Sequence, residues 1–454
     1  MHLNKRSIRT PMPVEQVRKL TSHLANLDRM SPDYWTFGGR DKRLGAHAMF
    51  HYPAMMVPQM QGAILDIICD AAPNTHRVLD PFVGSGTTLV EAMARGLDFT
   101  GIDINPLAIL ISRAKAVVLS PGQLECSAKR IASEIKADKG RAYFVSFQNQ
   151  KKWFSKSSSI GISRIARAIE SEKDEDVRRV FWVVLARIVR STCNSRKSTY
   201  KLHAKQAEEG AVESVDSALE FETHSKIVIS ALEAHFKMLH AAEVVSRGTY
   251  SGNIVLKIGD VLAEHTPKNT ELANIVITSP PYGDNRTTIP YGQYSYLPLK
   301  WIPLSDIAGN VTKGIVDNTH STDTASLGGS AQRAILRGDE MCSSFKQYKE
   351  TLEALKGNED GQKRFAAFAS DLKRSIDILS MKTASDGFHV WTVGERKIGG
   401  TPIPMAALVT EMLQKNDIQP VYTASRRILS KRMATRNTVG DTMDAEQIII
   451  ARKC

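Results

Sequence analysis

His76-Arg-Val-Leu-Asp80-Pro-Phe-Val-Gly84-Ser-Gly86-Thr-Thr88 is the stretch whose reading decides the fold. Residues 76–80 read as a short strand ending in an acid, followed by a turn with two closely spaced glycines and a helical pattern over 87–95. Phe99-Thr-Gly-Ile-Asp103 reads as a second strand, and Asn105-Pro106 opens a helix that runs to about residue 115. Strand, glycine turn, helix, strand and acid form the opening of a doubly wound α/β sheet. Such a turn lets backbone approach a ligand where a helix begins. Four readings compete for it. A phosphate-cradling loop wants Lys after the last glycine, where Thr87 stands, and a dinucleotide site wants a third glycine near Leu89. A nucleoside ligand without a diphosphate, its ribose hydroxyls held by Asp103, is the third reading, and that ligand is S-adenosylmethionine. The fourth is a turn needed only for tight strand–helix packing.

Outward from this stretch the strand rhythm stops near Pro121 and the chain becomes mostly helical and polar to about residue 247. It resumes with Asn253-Ile-Val-Leu-Lys-Ile258, then Gly259-Asp260, and with Ala273-Asn-Ile-Val-Ile-Thr278. A turn-rich region over 309–329 and two helices (345–355 and 364–379) precede a strand over 387–393. The end reads helix (404–415), strand (419–426) and strand (447–452). The division expected is 1–120 and 248–454 as two parts of one α/β domain, with 121–247 as a helical insertion.

Thr278-Ser279-Pro280-Pro281-Tyr282 is the more specific signal. It follows an apolar strand, so it sits at a carboxyl strand end, where open α/β sheets bind ligands. Two prolines fix the backbone and leave carbonyl groups without competing local donors. Rigid acceptors of this kind, with Ser279, suit an exocyclic amino group, and Tyr282 offers a face for a base to stack on. A proline turn beside an ordinary buried tyrosine is the alternative for this motif standing alone.

The 454 residues are 42% hydrophobic and 24% charged, which excludes collagen-like and wholly disordered readings and allows two to three domains or one core with large insertions. No apolar run approaches the roughly 18 residues of a membrane span, and no apolar signal core follows the charged N-terminus, so a cytoplasmic protein without a membrane partner is expected. Five cysteines without paired spacing fit a reducing compartment rather than a disulfide framework or zinc knuckle. His47 and His51 are spaced as on one helix face but lack the Glu of a zinc protease, and no metal site is expected. Sixty Lys and Arg against 48 Asp and Glu give a net charge of +12. Residues 128–205 hold 19 Lys/Arg against 7 Asp/Glu, an excess equal to that whole charge. The charge is a local footprint suited to a polyanion.

The two ligand motifs together resemble those of the DNA amino-methyltransferases, which methylate cytosine N4 or adenine N6. Residues 80–88 are similar to their cofactor motif and residues 278–282 to their catalytic motif. Phe50-His-Tyr-Pro-Ala54 resembles the element that closes over the methionine end of the cofactor, and Gly259-Asp260 the acid that meets its adenine. Gly394-Glu-Arg-Lys-Ile-Gly-Gly400, and Arg427-Ile-Leu-Ser-Lys-Arg-Met433 through Arg436-Asn437, resemble the later motifs beside the target base. The resemblance covers roughly residues 45–118 and 250–452. It implies a Rossmann-like S-adenosylmethionine-dependent methyltransferase sheet carrying a large, mostly helical insertion. It also implies that Tyr52, Pro53, Asp80, Phe82, Gly84, Gly86, Thr87, Asp103 and Asp260 hold S-adenosylmethionine, while Ser279, Pro280, Pro281 and Tyr282 hold the base. In that family Ser at the first position of the four-residue motif leans towards cytosine N4. The carbon-5 alternative wants a nucleophilic Cys after Pro, and none of the five cysteines follows a proline.

The implied partner is double-stranded DNA, with a cognate restriction endonuclease encoded alongside. Lys151, Lys152, Arg164, Arg178, Arg179, Arg196 and Lys197 are the candidates for phosphate contact. A solvated helical face, its cations paired within the chain, is the alternative, since Glu170, Glu172, Asp174, Glu175 and Asp176 are embedded among them. The insertion also departs from the family pattern in its place between Asp103 and Asp260. The loop from Asp284 to Ser330, with Tyr291, Tyr294, Tyr296 and Trp301 at its start, is a second candidate for reading sequence. An RNA base-amino methyltransferase and a non-catalytic DNA-binding protein with the same fold are the remaining functional alternatives.

Overall fold

Seven strands build the central sheet of the computed structural model, which describes residues 14–31, 33–39, 41, 43–197, 199–205, 214–263, 272–281, 289–309, 311, 313–328, 338–429 and 444–454. They are β1 (Arg77–Asp80), β2 (Asp98–Asp103), β3 (Ile254–Ile258), β4 (Ala273–Thr278), β5 (Thr383–Gly394), β6 (Ile418–Arg427) and β7 (Ala445–Lys453). Their spatial order is β6-β7-β5-β4-β1-β2-β3. Neighbours from β3 through β5 pair in parallel, whereas β7 runs antiparallel to both β5 and β6. Alternation along each strand sends side chains to two separate cores. Val78, Ile275, Ile277, Phe388, Val390, Ile448 and Ile450 fill one face, and Leu79, Val276, Trp391, Val393 and Ile449 the other. A sheet covered on both sides is the arrangement parallel strands require. The expected mostly parallel α/β sheet is therefore present.

On the first face lie α1 (Val14–Met30), α2 (Pro58–Ala71) and α3 (Thr87–Met93), joined by Ile109 of α4 (Pro106–Ala116). From residue 121 the chain leaves the sheet. Helices α5 (Pro121–Ala137), α6 (Lys156–Glu170), α7 (Glu175–Thr192) and α8 (Ser217–Ala241) share a third core with the outer side of α4 and with α9 (Tyr291–Trp301). The chain then returns to cover the second face with α10 (Glu359–Met381) and α11 (Met405–Gln414). Helix starts follow local chemistry. Asn105 accepts a hydrogen bond from the Leu107 amide ahead of Pro106, Ser120 does so from Gln123 ahead of Pro121, and Asp174 from Asp176 and Val177. No helix among the described residues is long and apolar enough to cross a membrane.

The expected loop beginning near Asp284 is corrected in part. Residues 282–288 lie outside the described residues, but Tyr291–Trp301 is a helix, with Tyr294 and Trp301 buried in the core. Gly292 and Pro298 concealed it. Pro298 has no amide hydrogen for the Tyr294 carbonyl one turn earlier. Arg190 supplies the missing donor, with its Nη1 3.2 Å from that oxygen and its guanidinium 3.7 Å above the Tyr294 ring.

A charged clamp joins α7 to the segment after α9. The Asp306 carboxylate takes two hydrogen bonds from Arg178, at 2.9 and 3.1 Å, and one from Trp182 Nε1 at 2.6 Å. Burial pushes this carboxyl up, but Arg178 and Trp182 outweigh it and hold it below the usual range. Asp306→Ala is expected to cost about 3 kcal/mol of stability, because it strands a half-buried guanidinium and an indole N–H. A urea midpoint lowered in Asp306→Ala checks this; an unchanged midpoint overturns it.

Candidate active site

The carboxyl ends of β1 and β4 lie side by side, with Leu79 in register with Val276. Thr278 Oγ1 donates to Asp80 Oδ1 at 2.7 Å, so the acid that ends β1 is bonded to the residue that ends β4. Asp80 also accepts from the Phe82 amide at 3.1 Å, which turns the chain into the glycine loop. The Asp80 carboxyl is fully buried, and that burial pushes it up to about 7 despite these bonds.

The loop needs its glycines. Gly84 and Gly86 have φ of 52° and 76°, a region costly for residues with a Cβ. A Cβ on Gly86 would meet Ser112 Oγ at 2.9 Å, so this glycine lets α3 pack closely on α4. On Gly84 a Cβ would instead approach the Tyr52 ring at 3.7 Å, filling the space above the loop. Asp103 fixes the loop from β2. Its Oδ2 accepts from the Gly84 amide and its Oδ1 from the Asn105 amide, both at 2.8 Å. From behind, Ser112 donates to the Gly84 carbonyl at 3.0 Å and Lys115 Nζ to the Ser85 carbonyl at 2.6 Å. Lys115 is wholly buried, which draws its ammonium down to about 7.

These elements enclose a cleft that opens to solvent. Tyr52, Pro53, Phe82, Gly84, Thr87, Asp103 and Asp260 line it, and so do Ser279, Pro280 and Pro281. Asp80 and Gly86 are not among the lining residues; they join β1 to β4 and α3 to α4 behind the wall. Tyr282 lies outside the described residues, as do Met433, Arg436 and Asn437 of the later motifs. Residues 394–400 do not line the cleft: Arg396–Ile398 pairs with Thr401–Ile403 in a separate hairpin.

Two lining residues, Asn105 and Asp323, escape sequence reading, and Tyr291, a candidate there for reading DNA sequence, lines the cleft with them. Asn105 donates through Nδ2 to the Tyr52 hydroxyl at 2.9 Å and to Ser295 at 2.7 Å, joining the cofactor motif to α9. Tyr291 stacks on Tyr52 with centroids 5.9 Å apart. Asp323 accepts from the Gly292 amide at 3.1 Å, and burial pushes its carboxyl up to about 6. Asp103 is likewise raised to about 6 by burial, against the amides of Asn105 and Gly84.

The donor set tests what such a cleft can hold. Among the described residues its lining carries three carboxylates, Asp103, Asp260 and Asp323, and no lysine or arginine. Polyphosphate anions would meet unbalanced like charge there. A ligand with cationic centres, hydroxyl donors and an apolar ring fits, and S-adenosylmethionine has all three.

The basic candidates separate into two groups. Arg178 is committed to Asp306, and Arg179 pairs with Glu175 and Asp176 at 2.8 and 2.7 Å. Arg164 donates to the Gly140 carbonyl at 3.2 Å. For Arg178 and Arg179 the expectation of an outward phosphate track is therefore corrected, because their guanidiniums hold the fold. Lys151, Lys152, Arg196 and Lys197 are exposed.

Residues 12–113 match the family model N6_N4_Mtase, DNA methylase. The Type II methyltransferase M.MvaI of Kocuria varians is 27% identical over 426 residues, which span 89% of this chain and 90% of that protein. The Type II methyltransferase M.MjaII of Methanocaldococcus jannaschii is 33% identical over 76 residues, 17% of this chain and 14% of its own length. The solved rRNA methyltransferase AviRa from Streptomyces viridochromogenes aligns over 89% of both chains at 9% identity, with a TM-score of 0.32, too low a likeness to bear on function. The family-model match over the cofactor motif and the near-full-length relative, joined to the glycine loop and the Ser279-Pro280-Pro281 wall, support the resemblance of this chain to the DNA amino-methyltransferase family.

Proposed function

We propose that the chain transfers a methyl group from S-adenosylmethionine to an exocyclic amino group of a base in double-stranded DNA, cytosine N4 in preference to adenine N6. The observation that carries this reading is one cleft lined, among the described residues, by Asp103, Asp260 and Asp323 with no lysine or arginine, and by a wall of Ser279, Pro280 and Pro281. The preference for cytosine rests on Ser279 and the family resemblance. By the same resemblance the enzyme marks DNA beside a cognate restriction endonuclease.

S-adenosylmethionine supplies an electrophilic methyl group. Asp103 would receive ribose hydroxyls, Asp260 the adenine, and Phe82 and Tyr52 would offer aromatic faces to positive charge. The base must leave the duplex to enter the cleft. Its amino nitrogen is a poor nucleophile, because the lone pair is delocalised into the ring. Ser279 and the Pro280 carbonyl would accept hydrogen bonds from the amino N–H groups and favour a pyramidal nitrogen with a directed lone pair. Prolines at 280 and 281 hold those acceptors without reorganisation, the general requirement for electrostatic preorganisation.

The deciding experiment is incubation with labelled S-adenosylmethionine and unmodified genomic DNA or total RNA, followed by nucleoside mass spectrometry. N4-methylcytosine in DNA is expected. N6-methyladenine overturns the base assignment alone, and label confined to RNA overturns the DNA reading.

Cofactor binding should depend on pH through Asp103. The ionised carboxylate accepts two hydroxyls, and protonation removes an acceptor. With the carboxyl raised to about 6, affinity should fall as pH drops through that value, by up to about tenfold per unit below it, and level off above about 7. Calorimetric titration of wild type and Asp103→Asn checks this: the variant should lose the Asp103 component of the slope, and an unchanged slope refutes the assignment.

A further inference from the structure

The stretch from Val177 to Ala207 contains eight Lys and Arg and no acid. The structure divides these eight. Arg178, Arg179, Arg187 and Arg190 point into the fold, where they bond Asp306, the Met49 carbonyl and the Tyr294 carbonyl. Arg196, Lys197, Lys201 and Lys205 belong instead to a hairpin closed by an antiparallel bridge between Ser195 and Ala204, with the Arg196 amide 2.9 Å from the His203 carbonyl.

Two anchors orient this hairpin. At its root the Asn194 amide donates to the Trp153 carbonyl at 2.8 Å and Asn194 Nδ2 to the Lys152 carbonyl at 3.3 Å, which brings exposed Lys151 and Lys152 beside it. At its far end the Leu202 amide donates to Gln293 Oε1 at 3.0 Å on the first turn of α9. There Tyr200 packs against Tyr294 and His51, with ring centroids 5.8 and 6.1 Å apart. Tyr294 is in turn 6.1 Å from Tyr52, which lines the cleft. The hairpin therefore runs from the helical insertion to the rim of the active site, and its lysines lie along that route.

We propose that the hairpin formed by residues 194–197 and 199–205, with Lys151 and Lys152, is the surface on which the phosphate backbone of duplex DNA rests beside the extruded base. The proposal rests on the DNA reading above and adds where the duplex is held. Five of its six cations are lysines, point charges suited to tracking phosphates rather than to bidentate reading of base edges. The ridge thus positions the duplex and leaves sequence reading to other segments. Arg164, Arg178 and Arg179 lie outside it.

The test compares the full chain with a quadruple variant, Lys151→Gln, Lys152→Gln, Lys197→Gln and Lys201→Gln. A charge-matched control carries Lys19→Gln, Lys237→Gln, Lys346→Gln and Lys363→Gln, four exposed lysines paired to acids on their own helices. Affinity for a mixed-sequence DNA duplex is measured across a salt series, and S-adenosylmethionine affinity and melting temperature report on folding. The hairpin variant should lose about 100-fold in duplex affinity, and its log-affinity against log-salt slope should shrink by about 3, with cofactor affinity unchanged. A slope equal to wild type, or an equal loss in the control, overturns the proposal. A wild-type chain that binds structured RNA but no DNA duplex overturns the functional reading instead.

Discussion

Asp103→Ala is expected to weaken S-adenosylmethionine binding by about 100-fold or more, with little change in affinity for duplex DNA. A hydrogen bond to a charged group contributes about 1.5–3 kcal/mol net, and two ribose hydroxyls on one carboxylate account for about 3 kcal/mol even at the low end. The variant also removes the acceptor of the Gly84 and Asn105 amides, now held at 2.8 Å. The glycine loop would lose its tie to β2, while Ser112 and Lys115 still hold it from behind. Asp103→Asn keeps one oxygen acceptor and should lose only about tenfold. Calorimetry with S-adenosylmethionine distinguishes these outcomes. Alanine and wild-type affinities within threefold of each other would remove Asp103 from the cofactor site.

Much of this site was legible because its residues are constrained by backbone. Gly84 stands where φ is positive, and the acid that ends β2 lies about 20 residues beyond the acid that ends β1, as a βαβ unit dictates. Period-two alternation at Val78 and Leu79, and at Ile275 to Ile277, marks strands buried on both faces. Side chains acting over long separations left no such mark. Asp80 reads as a ligand contact from its motif, yet its partner is Thr278, 198 positions away. Lys115 has the composition of a solvated helix end, and only the fold reveals it buried under the Ser85 carbonyl. Asn105 was legible as a helix cap, but its amide nitrogen also reaches Tyr52 and Ser295, which no spacing rule anticipates.

The helix at Tyr291–Trp301 was hidden for a different reason. Gly292 and Pro298 lower its local helix propensity, and the compensation comes from Arg190 on α7. The same partner effect misdirected the charge reading. Counting cations in 128–205 identified an excess, but not which guanidiniums were already matched. Asp306, which lies beyond that stretch, takes up Arg178 and accepts from Arg179 through its carbonyl. Net charge locates a basic segment, and ion-pair geometry decides which of its members face outward.

Tyr282→Ala is expected to lower methyl-transfer turnover by about a thousandfold while S-adenosylmethionine affinity stays within about twofold. Ser279 and the Pro280 carbonyl can activate an amino nitrogen only if the base plane is fixed relative to them. Stacking on an aromatic face supplies that orientation and contributes about 1–3 kcal/mol per base. Its loss leaves the amino group mispositioned in the transition state, where small displacements are costly. Tyr282→Phe keeps the face and loses the hydroxyl, so it should retain activity within several-fold. Ser279→Ala removes one of two acceptors and should cost about 100-fold in kcat. The pattern across the three variants carries the argument. Alanine far below phenylalanine assigns Tyr282 to stacking; equal losses in both would assign its hydroxyl to the chemistry. If all three variants turned over at the wild-type rate, the target base would have to be bound elsewhere than at the end of β4.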